Sequence, residues 1–588
     1  MRSSKLLALV ACLTGTAVML VPGAAFATGV SEFPDNGSEQ MGRGGAWIAR
    51  ASDPLATMFN PAGLAGQPSR VTLQNNTIFE HTCFTRVKAA SDTTNDPLVG
   101  ADGTYPRTCN DISPTINPQL GATIKLTERL GLGLLVTGPS AGGEKTFPDF
   151  VKDGAGQDQA APNRYLLIQQ KGIILFPTIG VGYEILDNLR IGASFSWGFA
   201  RLNLSSATVS LNADSTTPAG NDTRATLQVK DYFVPAFTLG SIWSATPNID
   251  IAAWYKWSDA IRASGDADTA AAFYTRQNAG GNDKDVRYGS TAFDDCGTGV
   301  AADIAKKPCA GGDNAKLTFV IPMEAKLGFR YHKPRPFVPK PRPAPVALPT
   351  TGDGTEMVAP TPAQEEAQLQ DEEKEFRRKQ QRTRDPLATD IFDIEANLTW
   401  ANNSALDDIR IRFPGDASGK GTLPVAGVAG GELPPNADQK RAYKDVVGLR
   451  VGGDYNILPD QLALRGGAFF ETSAVEPRYQ NIDFPAASRF GLALGATYRI
   501  RFGEEKTTSA LELMVGYGHV FVADQSRTDP NASGSSALAG TSCNKVNPVA
   551  GSQTCEDGSQ RYRTKWPVNL GTITNSINVI NVGVAYRF

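Results

Sequence analysis

The chain has 588 residues, a formal charge of −3 and 41% hydrophobic residues. That balance lacks the basic footprint nucleic-acid binding requires, and beyond residue 27 no run of roughly eighteen apolar residues exists to form a spanning helix. With 59 glycines, 7 cysteines and many short alternating segments, the composition points to β structure rather than a helical enzyme.

Arg2 and Lys5 precede an apolar run from Leu6 to Phe26, and Ala25-Phe26-Ala27 has the small-x-small form of a secretory cleavage site. Residues 1–27 are expected to be a signal peptide, so the chain is exported. Leu9-Val10-Ala11-Cys12 also fits a lipid-attachment box, but apolar sequence continues well past Cys12.

Residues 28–68 show no strand alternation. A glycine-rich turn containing Gly42 and Gly44 leads into a small-residue helix through Asp53, and Asn60-Pro61-Ala62 then forms a turn.

From residue 69 onward, alternation recurs in fourteen segments beginning near 69, 114, 128, 170, 188, 229, 248, 315, 390, 443, 460, 488, 508 and 572. Successive side chains of a strand point to opposite faces. Phe490, Leu492, Leu494, Ala496, Tyr498 and Ile500 therefore oppose Gly491, Ala493, Gly495, Thr497, Arg499 and Arg501. Leu317 through Tyr331 reads as one long strand with a single apolar face. Short turns alternate with long loops, and the last segment places Ile580, Val582, Val584, Tyr586 and Phe588 on one face. An aromatic-ended strand of this kind resembles the closing strand of bacterial outer-membrane barrels, whose polar face lines the lumen. Glu324, Lys326, Arg330, Glu395, Arg450, Arg465, Arg499 and Glu512 are then expected to point inward.

Apart from Cys12, the cysteines form three local pairs, Cys83 with Cys109, Cys296 with Cys309 and Cys543 with Cys555. Proximity within loops of an exported chain suggests three loop-stiffening disulfides. No metal-ligand spacing is present. Residues 333–388 interrupt the barrel on its short-turn side. Alternating Pro and basic residues over Lys333–Pro345 favour an extended spacer, and Gln364–Arg384 follows as a charged helix with Glu373 and Arg377 at i,i+4. This insertion is either a tolerated addition or a contact for the periplasmic wall or a protein partner.

The glycine-rich opening, the Ala49–Pro54 stretch and Asn60-Pro61-Ala62 precede fourteen strands. Tyr443-Lys444-Asp445, Glu471-Thr472-Ser473-Ala474-Val475 and the Phe-ended last strand follow. Together they resemble the FadL/TodX family of outer-membrane transporters. The resemblance implies an all-β transmembrane antiparallel barrel of about 14 strands spanning 69–588, plugged by an amino-terminal hatch at 28–68. It implies passive uptake of hydrophobic molecules, foremost long-chain fatty acids, through an apolar site and lateral release. It also implies outer-membrane lipid and lipopolysaccharide as surroundings, and neither cofactor nor catalysis. Within it, Arg201 and Lys440, with Arg441 and Lys444 competing, stand where the family places carboxylate-binding cations. Simple alternation turns Arg201 outward, so the role needs a bulge near Ala200. Gly138 and Pro139 end the third strand and are candidates for the edge of a lateral gap.

Carriers of aromatic hydrocarbons or other lipids would need the same apolar pocket. A diffusion porin or a structural barrel linked to the periplasmic wall are further readings. An enzyme is not expected, because Gly-x-Ser-x-Gly and His-Glu-x-x-His are both missing.

Overall fold

The computed structural model describes residues 36–92, 95–139, 144–209, 222–270, 315–339, 362–412, 423–424, 432–433, 436–484, 486–502, 509–532, 543–544, 560–561 and 567–588. The expected signal peptide and Cys296, Cys309 and Cys555 lie outside these residues.

Fourteen barrel strands follow one another: β1 Arg70–Arg86, β2 Thr115–Lys125, β3 Leu130–Thr137, β4 Gln169–Leu186, β5 Leu189–Val209, β6 Asp222–Thr246 and β7 Ile249–Ser258. The second half comprises β8 Glu324–Pro334, β9 Asp390–Ala401, β10 Val446–Leu458, β11 Leu462–Glu471, β12 Arg489–Phe502, β13 Ser509–Arg527 and β14 Gly571–Arg587. Each pairs antiparallel with its chain neighbours. β1 and β14 close the barrel from Arg70↔Arg587 to Arg86↔Gly571. Closure leaves the sheet without a free edge strand, the condition for a sheet in lipid.

Over the half of the wall next to the short turns, large apolar side chains face out. Leu494 is 66% exposed and Leu327 61%, while the eight charged residues expected to point inward are all buried. Two outward aromatic groups flank this band. Tyr183, Tyr331, Tyr455, Tyr498 and Phe588 stand at the short-turn end, and Trp197, Tyr232, Phe233, Phe237 and Trp257 stand further up. Such girdles mark the two membrane interfaces.

Further up, the sidedness inverts. Leu317 and Phe319 do not share a face with Leu327, Phe329 and Tyr331. The first two are buried inside and the other three are exposed outside. The expected single strand is broken at 320–323, where Pro322 cannot donate to the ladder. A one-residue slip moves every later side chain to the other face. The same switch occurs in β6, where the register shifts between Asp231 and Val234 and leaves Tyr232 and Phe233 outside. It recurs after β7, where Ile261–Ala270 resumes with Ile261 and Ala263 buried. Before β10 it coincides with Ala442, whose φ is +45°. Ile261–Ala270, Ala315–Phe319, Asp408–Arg412 and Asn436–Lys440 extend the wall by mutual pairing.

Cys83 and Cys109 form a disulfide at the long-loop end, as their spacing suggested. Their sulfurs and His81 cluster closely, but the disulfide consumes both thiols.

Candidate functional site

Residues 36–68 are almost entirely buried among the inward side chains of the barrel. Helix α1, Ser38–Gly42, leads to a turn in which Gly44 has φ +61° and lies against Ala468. Helix α2, Ala56–Phe59, is followed by a 3-10 turn, Pro61–Leu64. Asn60 caps that turn by accepting from the Ala62 amide at 3.2 Å, and its amide group donates to the Ile48 carbonyl at 2.9 Å. Asp53 accepts from the Leu55 amide at 2.8 Å. Wall glycines admit this segment. A Cβ on Gly192 would stand 2.2 Å from the Pro61 carbonyl carbon, and one on Gly452 would stand 2.1 Å from the Arg43 oxygen.

Ion pairs fix the segment to the wall. Arg43 Nη1 lies 2.5 Å from Asp393 and 2.7 Å from Asp454. Arg50 reaches the same two carboxylates at 2.5 and 3.1 Å. Glu395 accepts from the Ala49 and Arg50 amides at 2.8 and 3.1 Å. Buried charges are tolerable only when paired and hydrogen-bonded in this way. Of these groups only Glu395 was expected from the sequence to point inward; Asp393 and Asp454 were not singled out, and alternation does not show which groups meet.

Above the segment the interior becomes apolar. Phe176, Leu202, Val229, Trp254, Phe319 and Phe469 belong to one continuous buried cluster. The loop after β11 closes over it, burying Ala474, Val475, Phe484 and Ala486. Val229 and Phe319 in this lining come from strand sections above the inversion, which places apolar residues inside.

The expected carboxylate-binding residues separate. Arg201 is exposed on the outer face between buried Ala200 and Leu202. The bulge expected near Ala200 is instead in the facing strand β6, beyond the Arg201↔Lys230 pair. Arg201 therefore keeps its outward phase. Lys440 is exposed and paired with Asp407, and Lys444 is exposed and 2.7 Å from Glu476. Only Arg441 is buried, and Asp483 accepts from it at 3.1 Å.

Lys326 was legible only as one of several inward charges. It is 4% exposed, and its Nζ makes no hydrogen bond among the described residues. It lies 4.8 Å from the centroid of the Trp254 ring. The Trp254 indole in turn donates to the Met58 carbonyl at 2.9 Å. Lys326 is one inward position above Gly328, against which Ile48 packs. An ammonium thus stands at the junction of the apolar interior and the amino-terminal segment.

Gly138 and Pro139 follow the last β3–β4 pair, Thr137↔Phe176, and pairing to β4 resumes at Lys145↔Gln170. Residues 140–143 between them are not described. Asn36 meets this place, donating to the Gly138 carbonyl at 3.0 Å and accepting from Asn117 at 2.8 Å.

The described carboxy-terminal part of the insertion, 362–388, lies against the barrel mouth, while 340–361, including part of the expected extended spacer, falls outside the described residues. Helix α3, Pro362–Arg382, and helix α4, Pro386–Thr389, bring Arg384, Asp385 and Leu387 into buried positions at the short-turn mouth. The Glu373–Arg377 pair forms at 3.2 Å. Burial pulls Arg384 down to about 10, against the pull of Asp250. Burial pushes Asp385 up, but Arg499 and Arg587 outweigh it and hold its carboxylate far below the usual range.

Residues 387–555 match the family model of the outer membrane protein transport protein (OMPP1/FadL/TodX). No curated protein matches the chain. Among solved structures, a Pseudomonas aeruginosa FadL homologue aligns over 97% of this chain and 99% of its own, with 15% identity and a TM-score of 0.55. The Ralstonia pickettii toluene transporter TbuX aligns over 95% and 99%, with 12% identity and a TM-score of 0.47. The matched segment and the shared closed barrel give this chain the fold of the OMPP1/FadL/TodX outer-membrane transporters.

Proposed function

We propose that the chain carries hydrophobic molecules passively across the outer membrane, and that long-chain fatty acids are its main cargo. The observation that carries the fatty-acid reading is the buried Lys326 ammonium, without a hydrogen-bond acceptor among the described residues, at the base of an apolar interior. An unpaired buried ammonium is costly, and a carboxylate arriving with an alkyl chain would relieve that cost. Arg441 is a weaker candidate because Asp483 already neutralises it. The short-turn end is taken as periplasmic.

Residues 36–68 act as the hatch in this reading. Lateral release is supported by the interrupted pairing after Thr137 and by the contact of Asn36 with Gly138. Release through the wall keeps each methylene from water, worth about 0.8 kcal/mol apiece. Arg201, Lys230, Lys316 and Arg410 are exposed on the outer face of adjacent wall segments above the upper aromatic girdle. That position suits lipopolysaccharide phosphates better than cargo.

Binding of a long-chain fatty acid, its methyl ester and a matching alkane to purified protein tests the reading. The acid is expected to bind best. Lys326→Met is expected to weaken the acid by about 1.5–3 kcal/mol and leave the ester unchanged, because only the charged hydrogen bond is lost. Equal binding of all three ligands by the wild type would remove the carboxylate site and favour hydrocarbons.

A further inference from the structure

The insertion crosses the short-turn mouth from one side of the barrel to the other. On one side, Arg382 holds Glu184 of β4 at 3.0 Å and Asp187 in the following turn at 2.6 Å. Arg190 of β5 donates to the Gln381 carbonyl at 2.8 Å. In the middle, the Arg384 amide donates to the Gly66 carbonyl at 2.9 Å, and its guanidinium donates to the Ala49 carbonyl at 2.6 Å. On the far side, Asp385 pairs with Arg499 of β12 at 2.7 Å and with Arg587 of β14. Asn456 donates to the Pro386 carbonyl at 2.8 Å, and the Asp460 amide donates to the Leu387 carbonyl at 3.1 Å. Eight consecutive residues, 382–389, thus tie β4–β5 to β10–β14 and hold two points of the amino-terminal segment between them.

We propose that Arg382–Thr389 is a strap that seals the periplasmic mouth and locks the amino-terminal segment inside the barrel, so that the segment rearranges only when the strap lets go. The bonds suit a releasable contact. The Arg382–Asp187 pair lies at the solvent edge, with Asp187 60% exposed, where ion pairs are weak, while the pair with Glu184 reaches a buried carboxylate. Two of the Arg384 bonds are to backbone carbonyls, which a displaced segment can exchange for water, and its contact with Asp250 is long, at 3.5 Å. Beside the strap, a cleft of about 450 Å³ separates the end of α3 from the rim, lined by Asp250, Arg330, His332, Arg377, Gln380 and Arg384. The helix is therefore not packed flush against the barrel there.

The test compares Arg382→Glu/Arg384→Ala with Arg377→Glu, which reverses a charge on the same helix outside the strap. Folding of each full-length variant is verified by its heat-dependent gel mobility. Amide exchange of residues 46–66 and steady conductance in planar bilayers are then measured. The strap variant is expected to speed exchange roughly tenfold or more, as local opening becomes easier, and to show conductance absent from the wild type. Arg377→Glu is expected to match the wild type in both. Should the double variant not fold, Asp385→Asn serves instead, because its amide keeps the shape and Arg499 retains Glu512. Unchanged exchange in a folded strap variant, or an equal change in Arg377→Glu, overturns the proposal.

Discussion

At the scale of single residues, the interior depends on a few positions whose chemistry is unforgiving. Gly192 leaves room for the Pro61–Ala62 backbone. Gly192→Val is expected to cost about 1–3 kcal/mol by overpacking, read as a lower melting temperature and faster proteolysis of residues 46–66. Lys326 behaves in the opposite way. An unpaired buried ammonium weakens the empty barrel, so Lys326→Met is expected to leave stability unchanged or raise it while acid binding falls. A loss of stability in that variant would mean that Lys326 has a structural partner. Arg201→Ala is expected to leave the preference for acid over ester unchanged, since its side chain points away from the interior. The residue type at each of these positions is plain in the sequence. Its neighbour is not, because Gly192 meets Pro61 and Lys326 meets Trp254 only through folding.

At the scale of elements, the strands were largely legible. Twelve of the fourteen expected starts fall within three residues of the observed ones, because alternation and short turns act locally, while the sixth and eighth, expected near 229 and 315, begin at Asp222 and Glu324. The phase breaks were not legible. From Leu317 to Tyr331 the odd-numbered apolar positions continue without a flaw in the sequence, yet the face they occupy changes at 320–323. Alternation fixes which residues share a face between breaks, and only pairing with the neighbouring strands decides which face is inside. Below the break an outward charge should be expensive. Leu494→Arg is expected to destabilise the folded barrel by about 2–4 kcal/mol if it lies near the bilayer midplane. Reversible unfolding in lipid vesicles measures this. Arg substituted for outward Thr318, above the break, should cost far less.

At the scale of the whole molecule, charge organises the lower half and apolar packing the upper half. Arg43 and Arg50 meet Asp393 and Asp454 from sequence positions more than 300 residues away. Truncating one partner of such a network leaves the rest uncompensated, so Asp393→Ala is expected to destabilise the barrel by about 3–5 kcal/mol. Loss of the heat-dependent mobility shift at lower temperature would register it. Period-two alternation and composition by themselves determined the amphipathic strands, their number, the charged residues that share a face and the presence of an insertion; that the strands close into a barrel with that face inward came from the family resemblance. Tertiary structure alone decided that no bulge turns Arg201 inward, that Lys326 has no acceptor among the described residues and that residues 382–389 lie across the short-turn mouth. Each of these depends on contacts between residues far apart in the chain, and local periodicity carries no information about them.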